Sequence, residues 1–344
     1  MLKKNISLMA IKFIIMIILV FLITRQVHWY DYVVIEDGKS VIMMGIISNL
    51  KQVDVFILSF ALLCTLISYC LVGYRWKRLL AVLSIPISVK DAIRYTFIGY
   101  FFSQIIPGMI GGDALKAYLF AKNTSKKVQI FVSVFVDRIF GIFGFALLAA
   151  IMLLIIWWVG LVDIHTMNTP LISIFVIFIS IIGVTAILLN PQLHKLMRLE
   201  RLYQYLSFSN HIKDAFDTIY LFRKNSVSFL IIVWFTFIAQ LFGICTVMLI
   251  GFGLDLQIAW YFYFLYVPLI IIISAVPVTP GGVGLMEGLY LVYFSSVTNN
   301  SKVLVLAVLV RFIIIISTLF GGFIVFLDKK VFMNDLKEAR RSIK

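Results

Sequence analysis

A proline and three glycines interrupt a long apolar run in the first third of this chain. Residues 104–113 read QIIPGMIGGD, and they divide apolar sequence that begins near Tyr95 and resumes after Asp113. Proline removes a backbone hydrogen-bond donor, and glycine weakens any helix in which it lies. A continuous helix through this segment is therefore excluded, and the chain must accommodate a break in the middle of apolar sequence.

Composition indicates what surrounds the break. Of the 344 residues, 62% are hydrophobic and 13% are charged, whereas soluble domains carry about 25% charged residues. Runs of about 20 apolar residues are long enough to cross a bilayer. The runs predict an all-α polytopic membrane protein with about six full spans, at residues 11–29, 55–73, 128–158, 171–189, 227–251 and 303–327.

Within a membrane, the break predicts a re-entrant helical hairpin. Lipid cannot satisfy the backbone groups that the break frees, so these groups must lie inside protein or line a wet cavity. A second break, PGGVG, lies between two later apolar runs and predicts a second hairpin of the same kind. The predicted tip residues are Pro107, Gly108, Gly111 and Gly112 in the first hairpin and Pro280, Gly281, Gly282 and Gly284 in the second.

The two breaks belong to a repeated pattern. Pro107 and Pro280 lie 173 positions apart (280 − 107 = 173), and the same offset separates two arginines inside apolar runs, Arg138 and Arg311. Few other positions are identical, so the repeat is one of pattern rather than of sequence. Within a single membrane domain, the two predicted repeats are approximately residues 55–160 and 228–333.

Lysine and arginine predict the orientation, because cytoplasmic loops of membrane proteins are rich in both. If the N-terminus is cytoplasmic and each hairpin returns to its side of entry, 24 of the 30 Lys and Arg residues are cytoplasmic and four are outside. This orientation gives the repeats opposite topology, with both termini and an amphipathic connection at 190–225 in the cytoplasm. Residues 74–95, which begin YRWKRLL, predict an interfacial helix.

Two arginines are the strongest candidates for substrate binding. Arg138 and Arg311 lie about eight to ten residues into their spans, near the middle of a hydrocarbon core about 30 Å thick. An arginine there costs about 2.5–3.5 kcal/mol on insertion scales. One interpretation is a guanidinium fork that binds the phosphate or carboxylate of an anionic head group. The other is internal pairing, of Arg138 with Asp137 or Asp113 and of Arg311 with Glu287.

Three carboxylates are candidates for gating or proton coupling. Asp113 begins the returning half-helix of the first hairpin, and Glu287 lies in the first turn of its counterpart. Either can instead cap its helix, a position that Asp fills well. Asp137 adjoins Arg138 but points about 100° away around the helix, so it can pair elsewhere. Helix N-termini at both tips would add positive dipole ends that favour an anion.

Other classes of site are absent from the sequence. The four histidines show no metal-ligand spacing, the three cysteines lie in apolar segments, and no catalytic triad or phosphate-loop pattern occurs. The net charge of +14 reflects basic cytoplasmic segments that face anionic lipids rather than nucleic acid. We expect no enzyme activity, no cofactor, no metal and no nucleic-acid partner.

Three segments resemble a known family. YFFSQIIPGMIGGDALKAYLF, VDRIFGIFG and VPVTPGGVGLMEGLYLVYF are similar to signature segments of the lysylphosphatidylglycerol synthase membrane-region family, often labelled flippase-like. The resemblance covers roughly residues 10–330 and implies a membrane protein that moves or presents lipids, such as lysyl-phosphatidylglycerol, polyprenyl-linked sugars or hopanoids. The chain ends at Lys344 without the soluble aminoacyl-transferase domain of bifunctional synthases, so we expect no lipid aminoacylation.

These features favour a lipid flippase of a bacterial or archaeal cytoplasmic membrane. Its expected substrate is a lipid with an anionic head, such as a polyprenyl phosphate, a lipid-linked sugar or a phospholipid. One alternative is a membrane-embedded transferase, or the accessory subunit of one, that acts on a lipid-linked sugar or an aminoacylated lipid. Another is a scaffold that recruits cell-envelope biosynthesis enzymes through residues 190–225.

The orientation can be tested with single-cysteine variants in a background without Cys64, Cys70 and Cys245. In intact cells, a membrane-impermeant thiol reagent should label a cysteine at Asn299 and leave one at Ser209 unlabelled, because only Asn299 is predicted to face outside. The reverse labelling would contradict the opposed hairpins, since both would then have to be full spans.

Overall fold

The computed structural model describes residues 2–25, 27–36, 39–105, 110–122, 124–162, 170, 172–177, 179–180, 226–276 and 278–327. Labelled in chain order over these residues, the helices begin with α1 (Leu2–Arg25) and α2 (Ile46–Lys51). They continue with α3 (Val55–Val82), α4 (Val89–Ile105), α5 (Ile110–Ala121), α6 (Lys127–Val159), α7 (Ser226–Gly253), α8 (Trp260–Ser274), α9 (Leu285–Phe294) and α10 (Asn300–Leu327). A short 3₁₀ turn, Pro280–Gly282, lies between α8 and α9.

The prediction of a helical membrane protein is confirmed, because the structure contains long apolar helices. Four described helices are long and apolar enough to cross a membrane: α3, α6, α7 and α10. They coincide with four of the six predicted spans. The first predicted span overlaps α1, and most of the span at 171–189 lies outside the described residues. The number of full spans therefore stays a prediction.

One detail of the sequence interpretation is wrong. The span predicted to end at residue 73 continues to Val82 as one helix, because nothing in residues 74–82 breaks it. The sequence also did not predict a two-stranded antiparallel sheet between α1 and α3, which consists of β1 (Tyr32–Glu36) and β2 (Lys39–Met43). Both strands are rich in valine and isoleucine, which favour strands, and the surrounding polar residues obscured that pattern.

Helices α3 and α7 form an antiparallel pair against which several other helices pack. Gly253, at the end of α7, packs against Ile57 near the start of α3, whereas Thr236 of α7 bonds Arg75 towards the end of α3. Between these points the hydroxyls of Thr65 and Thr246 lie 3.0 Å apart. Around this pair, α4 packs against α10 and α8 packs against α6. The entering helix of each hairpin therefore packs against the long helix that follows the other hairpin.

The helical hairpins open at opposite ends of this pair. At the C-terminal end of α3, Lys126 Nζ donates to the carbonyls of Leu83 and Ser84, so the ends of the first hairpin lie there. At the other end, Asn299 Nδ2 donates to Tyr32 Oη at 2.7 Å, and Lys302 Nζ lies 3.4 Å from the Asp255 carbonyl. The connections that flank α8 and α9 therefore lie beside β1, where α3 begins.

Two glycine contacts fix α4 between its neighbours. A Cβ on Gly112 of α5 would overlap the Gly99 carbonyl oxygen of α4, and a Cβ on Gly321 of α10 would overlap the Phe97 carbonyl oxygen. Both faces of α4 therefore meet helix backbone directly, and any side chain at Gly112 or Gly321 would force the helices apart.

Candidate functional site

The second hairpin turns on glycines that other residues could not easily replace. Gly281 and Gly282 have φ values of 61° and 69° in the 3₁₀ turn after α8. These left-handed conformations strain residues that carry a Cβ, whereas glycine adopts them freely. The chain can therefore reverse tightly and begin α9 only five residues after Pro280. Three of the predicted tip residues, Pro280, Gly281 and Gly282, form this turn.

Arg311 holds this turn together. Its Nη1 and Nη2 donate to the carbonyls of Gly281 and Gly282, each at 3.0 Å, and its Nε pairs with Glu287. The second carboxylate oxygen of Glu287 accepts the backbone N–H of Gly284 at 2.8 Å. The predicted pairing of Arg311 with Glu287 is confirmed. One guanidinium thus satisfies two carbonyls that leave the helical hydrogen-bond pattern at the break.

The first hairpin repeats the central element of this arrangement. Arg138 Nε of α6 pairs with Asp113 of α5, and the two side chains are 29% and 16% exposed. Of the two partners considered from the sequence, Arg138 therefore uses Asp113. Asp113 is the fourth residue of α5, so it does not cap the helix, which begins at Ile110.

The tip of the first hairpin is only partly described. Gly111 and Gly112, which were predicted as tip residues, lie in the first turn of α5. Pro107 and Gly108 lie outside the described residues.

Asp137 belongs to a buried ion pair that the sequence did not predict. Its Oδ1 accepts from Arg75 Nε at 2.7 Å, with side chains 10% and 5% exposed respectively. The other guanidinium nitrogens of Arg75 donate to the Asp137 carbonyl at 3.1 Å and to Thr236 Oγ1 at 3.2 Å. A single side chain of α3 therefore joins α6 and α7. Beside it, Gln240 Nε2 donates to the Gly141 carbonyl at 2.6 Å.

Lys116 is the second functional candidate that sequence reasoning missed. Lys116 is one of the 24 Lys and Arg residues predicted to be cytoplasmic, but it is buried, with 3% of the residue exposed. Its Nζ lies 3.9 Å from the ring centroid of Trp76, whose indole N–H donates to Ser133 Oγ at 3.1 Å. Asp113, Asp137, Arg75 and Arg138 all act electrostatically on this ammonium.

The burial of Arg75 could have been predicted from helical spacing. The buried positions Gly73, Arg75, Trp76, Leu79 and Leu80 form one stripe of α3, whereas Lys77 and Arg78 lie on the partly exposed side. Residues at i, i+3 and i+4 share a helix face. The basic segment YRWKRLL is therefore amphipathic within a continuous helix, and its first arginine belongs to the interior.

Positive charges outnumber carboxylates in the cluster around the first hairpin. Around the first hairpin, Arg75, Lys116 and Arg138 carry three positive charges against the two carboxylates of Asp113 and Asp137. Around the second, Arg311 faces Glu287. Within the described part of the chain, no group of three His, Cys, Asp or Glu residues is placed to hold a metal ion.

The chain is similar to one known protein family over most of its length. A family model described as "Lysylphosphatidylglycerol synthase TM region" matches residues 9–322. The match therefore covers both hairpins and the two arginines that follow them. A search of curated proteins returns no significant match.

The buried pair should contribute more to stability than the partly exposed one. We expect Asp137→Asn to destabilise the protein by about 3–5 kcal/mol, because it leaves the Arg75 guanidinium buried without a counter-charge. Asp113→Asn, at the more exposed pair, is the matched control and should cost less. Thermal unfolding in detergent measures both.

A double variant, Arg75→Met with Asp137→Leu, should recover most of the lost stability, because apolar residues of similar volume can replace a buried ion pair. Unfolding of Asp137→Asn at the wild-type temperature would contradict a structural role for the pair.

Proposed function

The chain belongs to the lysylphosphatidylglycerol synthase TM region family, and from this premise we propose that it is a lipid flippase. It is a multi-pass membrane protein, and membership of the family suggests a lipid-related function. The proposed substrate is a lipid with an anionic head group, such as a polyprenyl phosphate, a lipid-linked sugar or a phospholipid. The proposed location is the cytoplasmic membrane, with both termini in the cytoplasm.

The observation that carries the proposal is a carboxylate–arginine pair at each of two hairpins. Asp113 with Arg138 and Glu287 with Arg311 join the returning half-helix of each hairpin to the long helix that follows. A phosphate can replace a carboxylate on arginine, because both accept two parallel N–H bonds from a guanidinium. In the proposed mechanism, the head group displaces the carboxylate and the pair re-forms when the lipid leaves.

Opposed repeats would give the head group access from each side in turn. The hairpins open at opposite ends of α3, and helix packing partners are exchanged between the repeats. Inverted repeats with broken helices near the bilayer midplane are typical of secondary transporters. We therefore propose a single membrane domain of two inverted repeats, about 55–160 and 228–333, whose re-entrant hairpins expose the site alternately.

Replacing the arginines should stop lipid movement. We expect Arg138→Gln to slow transfer at least about tenfold, the loss of one charge-assisted contact. Arg138→Lys should also be impaired, because lysine lacks the planar fork. Arg311→Gln should show the same loss together with lower thermal stability, since Arg311 also holds the Gly281 and Gly282 carbonyls. The measurement is transfer of a fluorescent anionic phospholipid in reconstituted vesicles.

Arg25→Gln serves as the control, because Arg25 is an exposed arginine at the end of α1 that lies over the ring of Phe21. Near-normal transfer by an Arg138→Gln, Arg311→Gln double variant would reduce the two pairs to structural contacts. Retained cellular function in that double variant would favour the scaffold.

The carboxylates are proposed to couple transfer to protons. In the proposed exchange, a carboxylate that loses its arginine to a phosphate binds a proton in place of the arginine. A pH gradient across proteoliposomes should therefore drive lipid accumulation by the wild type, and Asp113→Asn or Glu287→Gln should abolish that drive while gradient-free exchange persists. Wild-type transfer that is indifferent to the gradient in both directions would make the protein a facilitator.

A further inference from the structure

The charges around the first hairpin do not cancel. Arg75 pairs with Asp137 and Arg138 pairs with Asp113, so each carboxylate already has a cation of its own. Lys116 remains as a further positive charge in the same cluster. Among the described residues, no carboxylate lies within 4.0 Å of its Nζ.

The surroundings of Lys116 are built for a cation but only partly satisfy it. The methylenes of its side chain lie close to Gly99, and its Nζ lies 3.9 Å from the Trp76 ring centroid. The ring is itself fixed by the bond from its indole N–H to Ser133 Oγ. A cation–π contact is weaker than the cost of removing an ammonium from water, so it offsets that cost only in part.

The second repeat has no equivalent of this charge. At the offset of 173 positions, Lys116 corresponds to Leu289, whereas Arg138 corresponds to Arg311. The buried pair is missing too, because Arg75 corresponds to Met248 and Asp137 to Val310. The excess positive charge is therefore a property of the first hairpin and not of the architecture shared by both repeats.

We propose that Lys116 is a ligand for a phosphate group, and that the first hairpin is the selective head-group site. One phosphodiester anion supplies the single negative charge that balances Lys116, and its oxygens accept the ammonium hydrogens that the Trp76 face cannot bond. This inference rests on the proposed function, because it assigns the phosphate to the head group of the transported lipid. The second hairpin, with Arg311 engaged at its own tip, provides the less selective half of the path.

Equilibrium binding tests the assignment. The full chain is placed in phosphatidylcholine nanodiscs and titrated with a fluorescent short-chain phosphatidylglycerol, with inorganic phosphate as a competitor. We expect Lys116→Met to weaken binding about tenfold or more, the loss of one charge-assisted hydrogen bond. Lys116→Arg should retain most of the affinity, since a guanidinium also binds phosphate.

Lys302→Gln is the matched control, because it removes one positive charge at an exposed position near the start of α10. It should leave affinity unchanged, which separates a direct contact from a general change in charge. Thermal unfolding separates binding from structure: Lys116→Met should be at least as stable as wild type, since it removes a buried charge. A purely structural cation–π contact predicts lower stability with unchanged binding, and that result would overturn the proposal.

The two sources of phosphate and the two proposals remain distinguishable. If inorganic phosphate competes, the site recognises the phosphate group alone. If binding depends on Lys116 but inorganic phosphate does not compete, the site recognises the phosphate only as part of a lipid. Both outcomes support the proposal. Wild-type affinity in Lys116→Met overturns it and leaves the flippase proposal intact. If inorganic phosphate binds in a Lys116-dependent manner but no lipid is bound or moved, the flippase proposal fails while the phosphate site stands.

Discussion

An interrupted helix in an apolar environment must find partners for its backbone, and the rest of this structure depends on how it does so. Unpaired carbonyls and N–H groups cannot bond to lipid. At the second break, Arg311 donates to the Gly281 and Gly282 carbonyls, and Glu287 accepts the Gly284 N–H. The hairpin therefore depends on the intramembrane arginine. A ligand could bind this arginine only by replacing one of its present partners.

The two repeats share one kind of ion pair, but the first repeat contains a second pair as well. Each has a carboxylate on the returning half-helix and an arginine on the next long helix. The first repeat also buries Arg75 with Asp137, and Thr236 of α7 extends that network across the pair of α3 and α7. If the proposed function holds, neighbouring groups provide stability and ligand binding in the first repeat, whereas Arg311 provides both in the second.

Much of the architecture could be predicted because its physical causes are local in sequence. Four long helices follow from apolar length, and the pairing of Arg311 with Glu287 was one of two interpretations that the sequence offered for this arginine. Arg75 and Lys116 could not be assigned in the same way. Basic residues at the end of an apolar run also suit a membrane interface, and only packing distinguishes the interior face from the exposed one. The orientation and the remaining spans stay predictions.

The close contacts of α4 have a mechanical consequence. Gly112 of the first hairpin meets the backbone of α4 on one face, and Gly321 of α10 meets it on the other. Backbone-to-backbone contacts of this kind leave little clearance for independent sliding. A displacement of α4 therefore also shifts α10, which carries Arg311 to the opposite hairpin. Helix α4 thus couples the two hairpins mechanically, and we expect a movement of one hairpin to be transmitted to the other.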